Sequence, residues 1–302
     1  MNLSKLGIVI LNYNTYIVVI QCIRSILKYY GQNIKIIVVD NKSSNESLSI
    51  LSDHYKTDHN IEVISSYYNG GYSYGNNIGI NYLVKNFPEI KYLAIINPDT
   101  TIIDGYIFQD LISSLDNDDS LAGIAPLMII NGYLKPERWA IRMPRYINNF
   151  LSSFVCLKSL NPLLYKTYEI NPDNLVAYVD VLPGSFFIMK KDIFFQIGLF
   201  NEKIFLYGEE IVIANKIKKE NLKLGLLFSS YYVHNHQTSK KNIIQEVKHL
   251  SYSTKSHLYY NKNCNTRFWG TIDTLLLLLF LPLRAVEIFT IHLLIKMKAR
   301  IN

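Results

Sequence analysis

A chain of 302 residues suffices for one large α/β domain or two small ones, and a hydrophobic share of 49% excludes global disorder. A net charge of +7 favours anionic partners: nucleic acid, phosphorylated small molecules or an anionic membrane face. Cys22, Cys156 and Cys264 are too dispersed for a disulfide framework and form no CxxC zinc pair, so they read as free thiols in a reducing cytosol.

The first apolar run, GIVIL (7–11), is followed at once by polar residues and lacks the long apolar region and cleavage site of a signal peptide. It reads as the first strand. Residues 16–30 carry a near-helical apolar stripe, and IKIIVV (34–39) reads as a second strand ending in Asp40. The run NKSSNES supplies turn and capping residues for a helix near 46–56. IEVISS (61–66) predicts a third strand, a helix follows near 75–86, and YLAII (92–96) predicts a fourth strand leading into NPDT. This alternation predicts a mostly parallel sheet covered on both faces. Ligands of such sheets bind beyond the carboxyl ends of the strands. Four polar clusters fall there: NYN (12–14), Asp40, NGGYSYGNN (69–77) and Asp99.

Residues 131–177, with Arg138, Arg142, Arg145, Lys158, Trp139 and several prolines, break the rhythm and read as an irregular, partly helical insertion near the cleft. A strand resumes over 179–191, a loop from 200 passes into a helix beginning near Glu209, and another strand over 222–230 leads to VHNHQ (233–237). The expected division is a catalytic domain over 1–240 and a helical region over 241–302. In the latter, an apolar run is interrupted by Pro282, Arg284 and Glu287 and ends in Lys296, Lys298 and Arg300. A spanning helix needs about 20 apolar residues. The expectation is therefore an interfacial amphipathic helix, against the alternative of a helix packed on the domain or in a homodimer.

Carboxylates at a sheet edge repel an anionic ligand unless a divalent cation lies between them. Asp99 can bind Mg²⁺ or Mn²⁺ through oxygen, with the cation bridging a diphosphate. His234 can complete that site and tilts the choice toward Mn²⁺; the plain reading of His234 and His236 is a hydrogen-bonded surface histidine. Asp40 can accept the N3–H of a uracil or thymine ring. Neither GxGxxG nor a P-loop is present. Glu209 and Glu210 open a helix, where its dipole favours carboxylates; the sharper reading makes Glu210 a general base, and repulsion between the paired carboxylates can raise the pKa of one of them. A nucleic-acid role would rest on charge alone and is not expected.

The ordered set IVILNYNT, IIVVDNKSSN, NGGYSYGNNIGI, YLAIINPDTTI, LPGSFFIMKKDIFFQIGLFNEKIFLYGEE and VHNH resembles glycosyltransferase family 2 over about residues 6–237. Within it the chain is most similar to rhamnosyltransferase-like enzymes of bacterial surface polysaccharides. The resemblance implies a GT-A fold and inverting, metal-dependent transfer of one sugar from a nucleoside-diphosphate donor, dTDP-rhamnose or a UDP-sugar. It places NPDT at the D-x-D motif, with Asp99 as metal ligand and Asn97 in place of the first acidic residue. It likewise places Asp40 on the base, Asn12 and Tyr13 along the nucleotide, Asn69, Gly71 and Asn77 around the donor, Glu210 as general base beside Glu209, and His234 as a further metal ligand. The family's E-D-x-D here reads Glu209, Glu210, Ile211, Val212, losing its last acid. That departure motivates the alternative of a catalytically silent sugar-nucleotide-binding or scaffold protein. The QxxRW motif of processive synthases is absent after the acidic pair. The implied acceptor is a glycan or lipid-linked oligosaccharide, and the implied location is cytoplasmic, peripheral at the inner face of the plasma membrane.

Overall fold

The computed structural model describes residues 3–31, 33–154, 163–165, 167–235 and 242–301, with side chains to residue 291. Cys156, Lys158 and His236, and the side chains of Lys296, Lys298 and Arg300, lie outside the described residues. The elements run β1 (Leu6–Asn12), α1 (Tyr16–Tyr30), β2 (Lys35–Asp40), α2 (Ser47–Tyr55), β3 (Ile61–Ser65), α3 (Gly71–Asn86) and β4 (Tyr92–Ile96). Then come β5 (Thr100–Ile102), α4 (Ile107–Asn117), β6 (Leu121–Ile130), β7 (Tyr133–Leu134), α5 (Asn148–Ser152) and β8 (Val176–Val179). The chain continues through β9 (Phe186–Lys190), α6 (Lys191–Gln196), α7 (Glu209–Lys219), β10 (Lys223–His234), α8 (Ile243–Asn263) and α9 (Arg267–Ile301).

One sheet carries the order β3-β2-β1-β4-β9-β6-β10-β5, with β7 beside β6 and β8 beside β10. Its first four strands are parallel, as the strand–helix alternation predicts. Beyond them the directions mix, because β9 runs antiparallel to both β4 and β6. The central strands are apolar throughout, as strands buried on both faces must be; β4 is buried at all five positions. The inner stripe of α1, Val19, Cys22, Ile23, Ile26 and Tyr30, recurs at helical spacing and packs into this core. Full burial of each such aliphatic side chain contributes about 1.5–3 kcal/mol. Gly75 and Gly79 let α3 lie close on the sheet: a methyl group at Gly79 would sit 2.5 Å from a Val9 methyl.

Three stretches of the chain differ from the sequence reading. The run over 179–191 is not one strand: β8 stops at Val179 and β9 starts at Phe186, with Pro183 and Gly184 in the break. Proline has no N–H for the ladder. α4, β5 and β6 fill residues 100–130, where no element was expected. Finally, α9 runs unbroken past Pro282. Its segment Arg267–Ile291 is 25 residues long with mean hydropathy 2.0, long and apolar enough to cross a membrane by length and composition. Arg284 and Glu287, which interrupt the run in sequence, form an ion pair one turn apart and so present less charge than their count implies. Cys22 and Cys264 are free thiols.

Candidate active site

The parallel register brings Asn12, Asp40 and Ser65 to one edge, with the end of β4 at Ile96 one strand over. β10 shares their direction through β6 and delivers His234 to the same edge. β9 runs the other way, so its beginning lies there: Phe186 pairs with Ile96. The segment Pro183–Gly184–Ser185 therefore reaches the rim beside NPDT. Asn97 N–H donates to the Ser185 carbonyl at 2.8 Å, and the Thr100 hydroxyl donates to the same carbonyl at 3.3 Å. The Ser185 hydroxyl in turn meets the buried Tyr232 hydroxyl at 2.5 Å.

Asp99 and His234 come together because the chain reverses straight after NPDT. β5 pairs antiparallel with β10, setting Thr100 opposite His234, and Asn235 N–H donates to the Asp99 carbonyl at 2.8 Å. Asp99 Oδ1 then lies 3.1 Å from His234 Nε2; the histidine side chain is 7% exposed and the carboxylate 28%. Neighbouring ligands of an octahedral cation, each about 2.1 Å from it, are about 3.0 Å apart. The observed spacing thus matches one edge of such a shell, and an oxygen with an imidazole nitrogen suits Mn²⁺. Among the described residues no third histidine, cysteine or acid joins them.

Glu209 and Glu210 open α7 after a turn with Tyr207 and Gly208 in the left-handed region, φ 69° and 86°. Glu209 is buried, with its Oε2 unbonded. Glu210 is half-buried, and its carboxylate lies directly over Gly184: a methyl group there would sit 2.1 Å from Oε1. Burial raises the pKa of both glutamates, and for Glu209 the Glu210 charge adds to it. Gly184 is held in turn by the Tyr72 hydroxyl, which donates to its carbonyl at 2.6 Å. Glu210 therefore lies over Gly184, while Asn97 and Thr100, which flank Asp99 in the chain, bond the carbonyl of the next residue, Ser185. Val212 is a core residue, 3% exposed.

The other expected site residues divide. Tyr13 is 46% exposed at the rim. Asn97 is half-buried in the NPDT turn. Asp40, expected on the base, is 1% exposed: its Oδ1 accepts the Ser43 N–H, and its Oδ2 accepts the Ser43 hydroxyl and Asn12 Nδ2 at 2.7 Å each. Hydrogen bonds to a charged group are worth about 1.5–3 kcal/mol each, so this carboxylate fixes the β2 loop. Asn12, fully buried, also accepts from Thr15 and so ties that loop to the start of α1. Asn69 accepts from Gly71 N–H and from Asn41, shaping its own turn. Gly71 has φ 85° and packs on the 205 loop, where a methyl group would be 2.1 Å from the Phe205 carbonyl oxygen. Asn77, expected around the donor, is 6% exposed. It bonds the Phe200 carbonyl and N–H and the Glu202 carboxylate, bracing the loop that leads to the glutamates.

The family model for glycosyl transferase family 2 matches residues 7–197, over half the chain. The chain belongs to glycosyl transferase family 2. That match ends before Glu209, Glu210 and His234, so geometry alone brings those three to the rim. The low-salt glycan biosynthesis hexosyltransferase Agl10 of Haloferax volcanii is 27% identical over 223 residues, which is 74% of this chain and 64% of the relative. The chain thus spans about two thirds of that relative's length. Among solved structures, GalNAc-T7 with UDP, GalNAc and Mn²⁺ has a TM-score of 0.61 at 17% identity, covering 86% of this chain and 50% of that one. The mannosyltransferase PcManGT of Pyrobaculum calidifontis, with GDP-Man and Mn²⁺, has a TM-score of 0.57 at 11% identity, covering 95% and 73%. The fold is GT-A.

In this family member, sequence reasoning missed Ser43, Tyr72, Gly184 and Ser185. Gly184 and Ser185 stand in the GSFF segment, but nothing in the text tells a rim residue from a strand residue there. Pro183 was the available signal, since proline ends a ladder.

Proposed function

We propose that this chain is an inverting glycosyltransferase that moves one sugar from a nucleoside-diphosphate sugar to a hydroxyl of a lipid-linked glycan. The observation that carries this reading is the placement of the Glu210 carboxylate over Gly184, one residue from the Ser185 carbonyl that anchors the Asp99 turn. Asp99 and His234 would hold a divalent cation, Mn²⁺ or Mg²⁺, whose charge neutralises a leaving diphosphate when bound. Tyr13 offers a face for the base, and Asn97 a polar group for the ribose. Glu210 takes the proton of the acceptor hydroxyl. The acceptor oxygen then bonds to the anomeric carbon as the bond from that carbon to the phosphate oxygen breaks, and the electron pair leaves with the nucleoside diphosphate. Attack from the far face inverts the centre. The raised pKa of Glu210 makes it a better proton acceptor once ionised than an exposed glutamate. The donor is a dTDP- or UDP-sugar, dTDP-rhamnose foremost.

The same reading places the protein at the cytoplasmic face of a membrane, supported by the long exposed apolar stretch of α9. The test is Glu210→Gln. Thermal stabilisation by donor and Mn²⁺ stays near that of the parent, while transfer falls by about 10²-fold or more. Transfer within threefold of the parent rejects the assignment.

A further inference from the structure

The loop before the glutamates, residues 201–208, lies against one face of α8. His249, Tyr252, Ser256 and Tyr259 recur there at steps of three, four and three, and each meets a different part of the loop. The Ser256 hydroxyl, on a residue 5% exposed, is shared between the Leu206 carbonyl at 3.1 Å and the carbonyl of Tyr252, one turn back, at 3.0 Å. The Tyr252 ring packs on the Phe205 ring with centroids 4.5 Å apart. Asn201 Nδ2 donates to the Tyr259 hydroxyl, and the Tyr207 hydroxyl is hydrogen-bonded to His249 Nδ1. Ser256 also lies beside the cap of α7: a methyl group at Gly208 would be 3.5 Å from its Cβ.

The loop needs such support. Tyr207 and Gly208 are both in the left-handed region, φ 69° and 86°, and a tyrosine does not hold that conformation by local preference. Their turn aims α7, and with it Glu210, whose carboxylate lies over Gly184. α3 grips the loop by its backbone, at the Phe205 carbonyl. α8 grips the side chain of that same Phe205 and the residues that follow it. α8 is itself tied to the domain: the Tyr260 hydroxyl donates to the Pro144 carbonyl at 2.9 Å, and Asn149 Nδ2 donates to Asn261 Oδ1 at 2.9 Å. Ile141 N–H donates to the Val181 carbonyl at 3.3 Å, three residues before Gly184. The helix that braces the loop and the segment that carries Gly184 are therefore referenced to one stretch, 141–149.

We infer that α8 is a positioning element of the reaction: Tyr252 and Ser256 hold the 205–208 turn so that the Glu210 carboxylate stays over Gly184. The inference rests on the proposed role of Glu210 and deepens it, because it makes the helical region after residue 240 part of what places that group. A helix that served only to stabilise the fold would lower Tm when weakened and leave the surroundings of Glu210 as they are. A positioning helix changes those surroundings in a protein that stays folded. Burial raises the Glu210 pKa, and Glu209 and Tyr72 are its titratable neighbours. A carboxylate freed toward water titrates lower.

The test uses the full chain with isotope-labelled glutamate carboxyl groups, followed by NMR across pH; the Glu210 resonance is the one missing from Glu210→Gln. Ser256→Ala and Tyr252→Leu are each expected to lower the Glu210 titration midpoint, together by about one unit. Tyr252→Phe, which keeps the ring, is expected to leave it at the parent value. A midpoint unmoved in folded Ser256→Ala and Tyr252→Leu overturns the inference, and so does an equal shift in Tyr252→Phe. Should Tyr252→Leu fail to fold, Ser256→Ala, which removes one hydroxyl, decides by the same measurement. The second readout is turnover of the UDP- or dTDP-sugar that best stabilises the chain with Mn²⁺, followed as nucleoside diphosphate released. In both variants kcat is expected to fall about tenfold with the donor KM near that of the parent. A raised donor KM with unchanged kcat puts the effect of α8 on the donor and overturns the inference. Glu210→Gln in the same assay separates the two readings. Turnover within threefold of the parent removes Glu210 as the base, whatever α8 does. Lost turnover in Glu210→Gln, with an unmoved midpoint in the α8 variants, removes only the role of α8.

Discussion

Replacing Gly184 with alanine tests the proposal that Glu210 acts at the reacting hydroxyl. Gly184 is not in the left-handed region, so alanine adds no backbone strain there. Its methyl group would instead stand 2.1 Å from Glu210 Oε1, 2.9 Å from Cδ and 3.1 Å from Cγ. Ordinary contact begins at 3.4 Å, so the carboxylate must retreat by about 1.3 Å. It can do so, because it is the end of a flexible side chain. The cost therefore falls on catalysis and little on folding. A misplacement of about 1 Å costs about 10²-fold in rate, or about 2.7 kcal/mol of barrier. Single-turnover transfer of labelled sugar should slow by that factor, while donor affinity and Tm stay close to those of the parent. A rate within threefold of the parent, in a folded protein that binds donor, would falsify the placement of Glu210 at the reacting hydroxyl.

Three further outcomes follow from other parts of the rim. Asp99→Ala should abolish the Mn²⁺-dependent part of donor binding by calorimetry, and unchanged titrations with and without metal would remove Asp99 from the cation site. Gly71→Ala forces a left-handed alanine and a clash with the Phe205 backbone. The conformation alone costs about 1–2 kcal/mol, so denaturant unfolding should show a loss of at least about 2 kcal/mol; a loss below 0.5 kcal/mol would show that the 205 loop is free to move. The pH dependence rests on Glu209 and Glu210, whose folded pKa values burial raises. Stability from such groups is full below the unfolded value and is lost as pH rises through the folded value. Glu209→Gln should therefore raise Tm at pH 8 relative to the parent, with the gain shrinking toward pH 4; a gain that grows on acidification contradicts the burial argument.

How far the text of the chain reached can be judged residue by residue. The parallel half of the sheet was legible because each of its strands is a dense apolar run closed by a polar cluster, and parallel pairing places those closures together. Asp99 and His234 were legible as candidates for the same reason, although only the β5–β10 pairing shows that they touch. Asp40 and Asn77 show the limit. A polar residue just past a strand reads identically whether it faces a ligand or spends its hydrogen bonds on the next loop, and the partners that decide it, Ser43 at three residues and Phe200 at 123, are set by tertiary structure. The continuity of α9 was hidden by the habit of counting charges singly, when two of them cancel across one turn.

The segment 69–77 gains a different meaning from this geometry. Its glycines and asparagines suggest a cradle for a ligand, yet its strongest bonds run to the loop before the glutamates. Tyr72 N–H donates to the Phe205 carbonyl at 2.9 Å, Gly71 abuts that same oxygen, Asn77 holds Phe200 and Glu202, and the Tyr72 hydroxyl holds Gly184. The glutamate loop has two residues in the left-handed region and cannot hold its shape by local preference alone. It is fixed from outside, by the N-terminal turns of α3, which the sheet itself fixes through the close contacts of Gly75 and Gly79 with Leu11 and Val9. The Glu210 carboxylate is thereby referenced to β1, the strand that also carries Asn12 and, through it, the ordered β2 loop. Under the proposed reaction, Glu210 and the loops expected to hold the donor share one rigid frame, which is what a single displacement between two bound substrates requires of its geometry.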